Sequence, residues 1–220
     1  MLRSLNEIMH FQLQGIDEEI GCCKNFLFND KLWVIAYMVT DTNKWLPGGR
    51  KVLISPISFC EPNWEQYQFS INLTREEIKN SSSLDEHRLI SHLDEAELFN
   101  VNVLEDGTKN KSEDRHLRSI EKAKGHGICA IDQEIGHVED FILNDQNWTI
   151  PYIVIDTSDW FPGGGKLLIS HKSIEAVNWA ERSVTVKLSA QMVQGSPRFD
   201  LKLLMDPEYE LQLVKYFENH

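Results

Sequence analysis

Trp33-Val34-Ile35-Ala36-Tyr37-Met38-Val39-Thr40-Asp41-Thr42 decides the fold, together with its echo 115 residues later, where Trp148, Ile150, Tyr152, Val154, Asp156 and Thr157 return in the same spacing. Shared residues fall on every second position. That period places them on one side of a pleated strand, the side turned towards a core. Aromatic and β-branched residues fill much of the rest, as a half-buried extended segment requires.

Asn29-Asp30 and Asn144-Asp145 precede these strands. Asn and Asp tolerate positive φ and bond their own backbone, so each pair marks a tight turn. Phe26-Leu27-Phe28 and Trp33 then form a hairpin. Farther upstream, Asp17 and Asp132 separate two short runs, with Gly21 and Gly136 just beyond, and predict another hairpin. Lys51–Ser55 and the alternating Tyr67–Leu73 read as further strands, and Thr74-Arg75-Glu76-Glu77 has the spacing of a capping box. The match runs without a gap from Leu2–Ser82 onto Leu117–Pro197, with about thirty identical positions. A period this long is a domain duplication rather than a solenoid repeat. Five or six short strands per copy with frequent turns predict a mainly β protein of two tandem small barrels.

The resulting map has repeat 1 at 1–83, a connector at 84–115, repeat 2 at 116–197 and a tail at 198–220. In the connector, Ser83-Leu84-Asp85-Glu86 has capping-box spacing, and Leu89, Leu93, Ala96 and Phe99 recur at helical intervals. Residues 106–114 contain no apolar side chain and read as a flexible linker. Asp206-Pro207-Glu208 opens a terminal helix with Tyr209, Leu213, Tyr216 and Phe217 on its apolar face.

The 220 residues carry a net charge of −12. By region this is −2, −5, −3 and −2 along the map, so the connector is the acidic part. Such a balance argues against nucleic acid, which needs clustered Lys and Arg to displace counterions. No apolar run is long enough for membrane insertion, and the first residues lack an apolar signal core, so a cytoplasmic protein is expected. Cys22, Cys23, Cys60 and Cys129 do not recur between copies, which predicts reduced, buried or half-buried thiols rather than a disulfide or zinc framework.

Ile135-Gly136-His137-Val138-Glu139-Asp140-Phe141, Val154-Ile155-Asp156-Thr157 and Trp160-Phe161-Pro162-Gly163-Gly164 resemble the PRC-barrel family in order and spacing. The first copy shows the same in Val39-Thr40-Asp41-Thr42 and Trp45-Leu46-Pro47-Gly48. The resemblance implies PRC-type β-barrels like those in the cytoplasmic part of the photosynthetic reaction-centre H subunit and at the C-terminus of a ribosome-maturation factor. In both settings it implies docking of other proteins rather than catalysis. The stand-alone tandem form is similar to bacterial members of the family.

The residues themselves point the same way. Asp41-Thr42 and Asp156-Thr157 pair a carboxylate with a hydroxyl, but no His or Cys recurs in both copies to complete a relay, so both pairs are read as loop supports. Gly21 and Gly136 join them as structural positions. Trp45-Leu46-Pro47 and Trp160-Phe161-Pro162 are either plugs of a barrel end or partner-binding tips, since exposed Trp is a frequent interface anchor. Trp64 and Trp179 are assigned to packing. His126 and His137 would form a metal pair only with a carboxylate or thiolate nearby, and neither a metal nor another cofactor is expected. The expectation is a non-enzymatic adaptor or scaffold for protein partners, with a homodimer as one form of assembly. The alternatives are an H-subunit-like accessory of photosynthetic electron transport and a ribosome or RNA-processing assembly factor.

Overall fold

The computed structural model describes residues 1–46, 48–80 and 116–218. The connector helix and linker expected within 84–115 lie outside the described residues, as does Pro47. The strands are β1 (Leu2–Ser4), β2 (Gln12–Gln14), β3 (Glu19–Asn29), β4 (Val34–Asp41), β5 (Lys51–Ile54) and β6 (Gln68–Ser70). They continue with β7 (Leu117–Ser119), β8 (Gly127–Cys129), β9 (Glu134–Asn144), β10 (Tyr152–Asp156), β11 (Lys166–Ser170), β12 (Ile174–Asn178) and β13 (Ser183–Val186). One sheet runs β5-β4-β3-β2-β6, with β7 also on β3; the other runs β11-β10-β9-β8-β13-β12, with β1 also on β9. The protein is mainly β, as its alternation requires. Among the described residues no helix is long and apolar enough to cross a membrane.

Asn-Asp chemistry closes the central hairpins. Asn29 Oδ1 accepts from the amides of Lys31 and Leu32, both at 2.9 Å, and Asn144 Oδ1 accepts from the Gln146 amide at 3.0 Å. Trp33 and Trp148 end these turns in the left-handed region, at φ 55° and 58°. Trp33 therefore belongs to the turn, and its strand begins one residue later than the alternation implies. Tyr67 likewise sits at φ 53°, so the last strand of the first copy starts at Gln68. The capping box forms at Thr74 and Glu77, and Asp206 accepts from the Glu208 amide at 2.9 Å to start the helix Pro207–Glu218.

Strands β3 and β9 are each eleven residues long. Their first parts pair with β2 and β8, of three residues each, through Leu13↔Gly21 and Ile128↔Gly136. That leaves part of the same edge to be satisfied, because buried backbone groups must be paired. Arg118 and Ser119 of β7 pair with Phe28 and Leu27, whereas Arg3 and Ser4 of β1 pair with Leu143 and Ile142. Each Leu-Arg-Ser strand thus completes the sheet of the other sequence copy. Contacts accordingly group residues 1–7 with 120–220, and residues 8–119 with one another. The repeat map placed residues 1–7 with repeat 1 and 116–119 with repeat 2; both segments lie in the opposite unit because strand pairing, not sequence proximity, decides membership.

Side chains secure both exchanged strands in the same way. Ser119 Oγ accepts from Asn25 Nδ2 at 2.7 Å, and Ser4 Oγ donates to Asp140, the residue matching Asn25. Asp140 is 2% exposed. Arg118 meets Asp30 at 3.0 Å and Arg3 meets Asp145 at 3.3 Å, so each turn aspartate also holds the incoming strand. In the unit containing 120–220, Leu2 joins Ile142, Tyr152, Val154 and Leu168 in a core cluster closed by Leu204, Tyr209 and Leu213. The matching cluster of the other unit contains Leu27, Tyr37, Val39 and Leu53, with Leu117 packed against it.

Deleting residues 1–6 should speed amide hydrogen exchange at residues 142–144 and leave 27–29 protected. Loss of protection at 27–29 instead would show that the strands pair within their own copies. Burial holds the Asp140 carboxyl above its usual range, despite opposing hydrogen bonds from Ser4 and the Phe141 amide, nearby Lys124, and the Asn6 amide. A folded-state pKa raised in this way contributes stability below the ordinary carboxylate range, and that contribution is lost as pH rises through the raised value. Asp140→Asn copies Asn25, whose amide donates to Ser119, so it can bond Ser4 in the reverse direction and cannot ionise. Its stability relative to the wild type should therefore increase as pH rises above the ordinary carboxylate range, about pH 4, in denaturant titrations; parallel pH profiles would contradict this.

Candidate functional site

The β4–β5 and β10–β11 loops share one construction. Thr157 N donates to the Gly165 carbonyl at 3.1 Å. The Thr157 hydroxyl also donates to that carbonyl at 2.9 Å and accepts from the Gly165 amide at 3.2 Å. Thr42 clamps Arg50 in the same manner, with a hydroxyl-to-carbonyl distance of 2.8 Å and a returning amide at 3.1 Å. Both threonines are fully buried. The adjoining carboxylates organise the loop starts: Asp41 accepts from the Asn43 amide at 2.9 Å, and Asp156 from the Ser158 amide and hydroxyl at 2.9 and 2.6 Å. Those Ser158 bonds hold the Asp156 carboxyl below the usual range, overcoming partial desolvation, with smaller help from His137 and Lys166. Gly21 and Gly136 pass directly beneath the aspartates. A Cβ on either would lie 2.3 or 2.2 Å from the carbonyl oxygen of Asp41 or Asp156.

The tips differ. Trp45 is half-buried: its indole N–H donates to the Ile20 carbonyl, and the Arg75 guanidinium lies 5.0 Å from its ring. Leu46 beside it is half-buried. The residue matching Arg75 is Ala190, which has no cation to lay over an indole. Trp160 is 37% exposed, Phe161 is buried beneath it and Pro162 is exposed. The Trp160 ring instead faces the His137 imidazole at 5.8 Å.

His137 and Glu139, two residues apart on β9, lie beside Asp156, which is directly opposite His137 in the β9–β10 register. One ligand atom from each lies within 4.8 Å of the other two. Lys166 Nζ contacts Glu139 at 2.6 Å, and that bond, with the nearby carboxylates, raises the ammonium pKa against a desolvation cost. The corresponding residues of the first copy are Cys22, Lys24, Asp41 and Lys51. The sequence alone suggests His137 beside His126 rather than this grouping. A His-x-Glu pair on one strand was visible; the opposing aspartate and the register shift at Glu139 required the hairpin pairing.

The other singled-out side chains have different neighbours. His126 is buried edge-on against Trp179, with ring centroids 5.2 Å apart. Burial, then Arg182, lowers its pKa, opposed by the Lys124 backbone. His171 Nδ1 faces the Pro151 carbonyl at 3.1 Å, and its pKa is lowered chiefly by burial. Trp64 packs with Phe11 and Phe69. All four cysteines are free; Cys23 is buried and Cys22 and Cys129 are half-buried, but Cys60 is exposed, contrary to the expectation of covered thiols. Comparison with known proteins finds no matching family model and no matching curated protein.

Gly136→Ala should lower unfolding free energy by on the order of 3 kcal/mol, because the new methyl collides with rigid backbone. Thr157→Val should cost about 1–3 kcal/mol by leaving buried loop groups unpaired. Chemical denaturation measures both, and wild-type stability in either variant would refute the loop-support role.

Proposed function

We propose that this chain is a non-enzymatic interaction module, with two PRC-type barrels docking protein partners and Trp160 as the principal anchor. The observation that carries this reading is the contrast between two similarly built loops. Trp45 is held by Ile20 and Arg75, while Trp160 keeps more than a third of its surface accessible on a clamped support. A large aromatic on an ordered loop supplies apolar contact with little ordering cost on binding. Pro162 extends that tip, and buried Phe161 fixes its base. The shared Asp–Thr pairs are engaged in loop support, which favours a scaffold over an acid–base centre. The net charge of −12 favours protein over nucleic-acid partners.

Affinity capture with quantitative mass spectrometry tests the assignment. Trp160→Ala should reduce recovery of a specific protein partner at least about tenfold while leaving the melting temperature near wild type. Trp45→Ala should instead lower the melting temperature. Unchanged partner recovery by the Trp160 variant would reject the proposed anchor.

A further inference from the structure

We propose that His137, Glu139 and Asp156 form a divalent-cation site, with zinc as its best-matched ion. This inference concerns a different ligand and does not rest on the docking proposal. The donor set combines an imidazole with two carboxylates, a mixture suited to borderline divalent metals. It is built on paired strands rather than gathered from loose side chains: Asp156 is the cross-strand partner of His137, and Glu139 stands two residues along β9 at the register shift between the Val138–Ile155 and Asp140–Val154 pairs. Their nearest usable ligand atoms lie within 4.8 Å of one another. Zinc bonds of about 2.0–2.2 Å imply ligand-to-ligand separations of roughly 3–3.5 Å, so side-chain adjustment on the order of 1 Å would close the set. Three protein ligands leave further coordination positions for water or a partner's donor group.

Lys166 supplies a local positive charge to the same carboxylates. Its ammonium contacts Glu139 and its side chain is 44% exposed, which gives it a route into solvent when a metal takes its place. Asp156 can retain its Ser158 contacts through Oδ1 and offer Oδ2 to the ion. The first copy lacks this combination, since Lys24 occupies the Glu139 position and Cys22 the His137 position. An ammonium in place of a carboxylate disfavors a bound cation, so the site belongs to one unit and is absent from its counterpart. The neighbouring Trp160 ring provides an optical report on His137.

The test is zinc titration of the untagged full chain by isothermal calorimetry near neutral pH, with tryptophan fluorescence recorded in parallel. One ion per chain should bind with micromolar affinity and change the Trp160 contribution, identified with Trp160→Phe. His137→Ala and Glu139→Lys should each weaken binding at least about tenfold. The latter installs the residue found at the matching position of the first copy, and thermal melting checks that both variants fold. His116→Ala, which disrupts the separate His116–Asp30 pair, should leave the titration unchanged. No saturable binding below about millimolar zinc, or undiminished binding by both folded site variants, would overturn the proposal.

Discussion

The long edges of β3 and β9 are the constraint on which both units depend. Neither three-residue β2 nor β8 spans its long partner, so a second short strand must supply the remaining backbone pairing. The Leu-Arg-Ser strand from the other copy does so and brings three useful side chains. Leucine reaches the apolar cluster, serine meets Asn25 or Asp140, and arginine meets the turn aspartate. Asn-Asp therefore acts twice: asparagine closes the hairpin, while aspartate holds the exchanged strand. The backbone edge and the Ser4 and Ser119 contacts define the pairing, and the half-buried ion pairs reinforce it.

Duplication separates residues needed by the scaffold from residues free to diverge. Threonine clamps both loop bases, aspartate organises both loop starts, and glycine permits the close backbone crossing in both units. The side chains around these common parts have changed. Arg75 lies over Trp45, whereas the matching position of the other unit is Ala190 and Trp160 is exposed; Cys22 and Lys24 give way to His137 and Glu139. One architecture thereby carries two chemically distinct tips, without requiring a different backbone for each.

The strand alternation, Asn-Asp turns, Thr74 capping box and Asp206-Pro207 helix start were legible because each depends on nearby residues. Trp33 was less legible: its aromatic character suits a strand, but completing the preceding turn requires its left-handed conformation. Much of the candidate site was also visible as loop motifs, but their consequences were not. The guanidinium over Trp45 comes from Arg75 thirty residues away, and the His137–Glu139–Asp156 grouping depends on hairpin register. Neither relation follows from local propensity.

By itself, the sequence determined the duplicated β-rich pattern, its main turns, and the residues available to support or modify them. Tertiary structure alone decided which copy receives each Leu-Arg-Ser strand. Those three residues are identical at 2–4 and 117–119. Their intrinsic strand-forming and side-chain chemistry therefore cannot distinguish one acceptor from the other. The distinction appears only in the strand pairing, where residues 2–4 meet β9 and residues 117–119 meet β3.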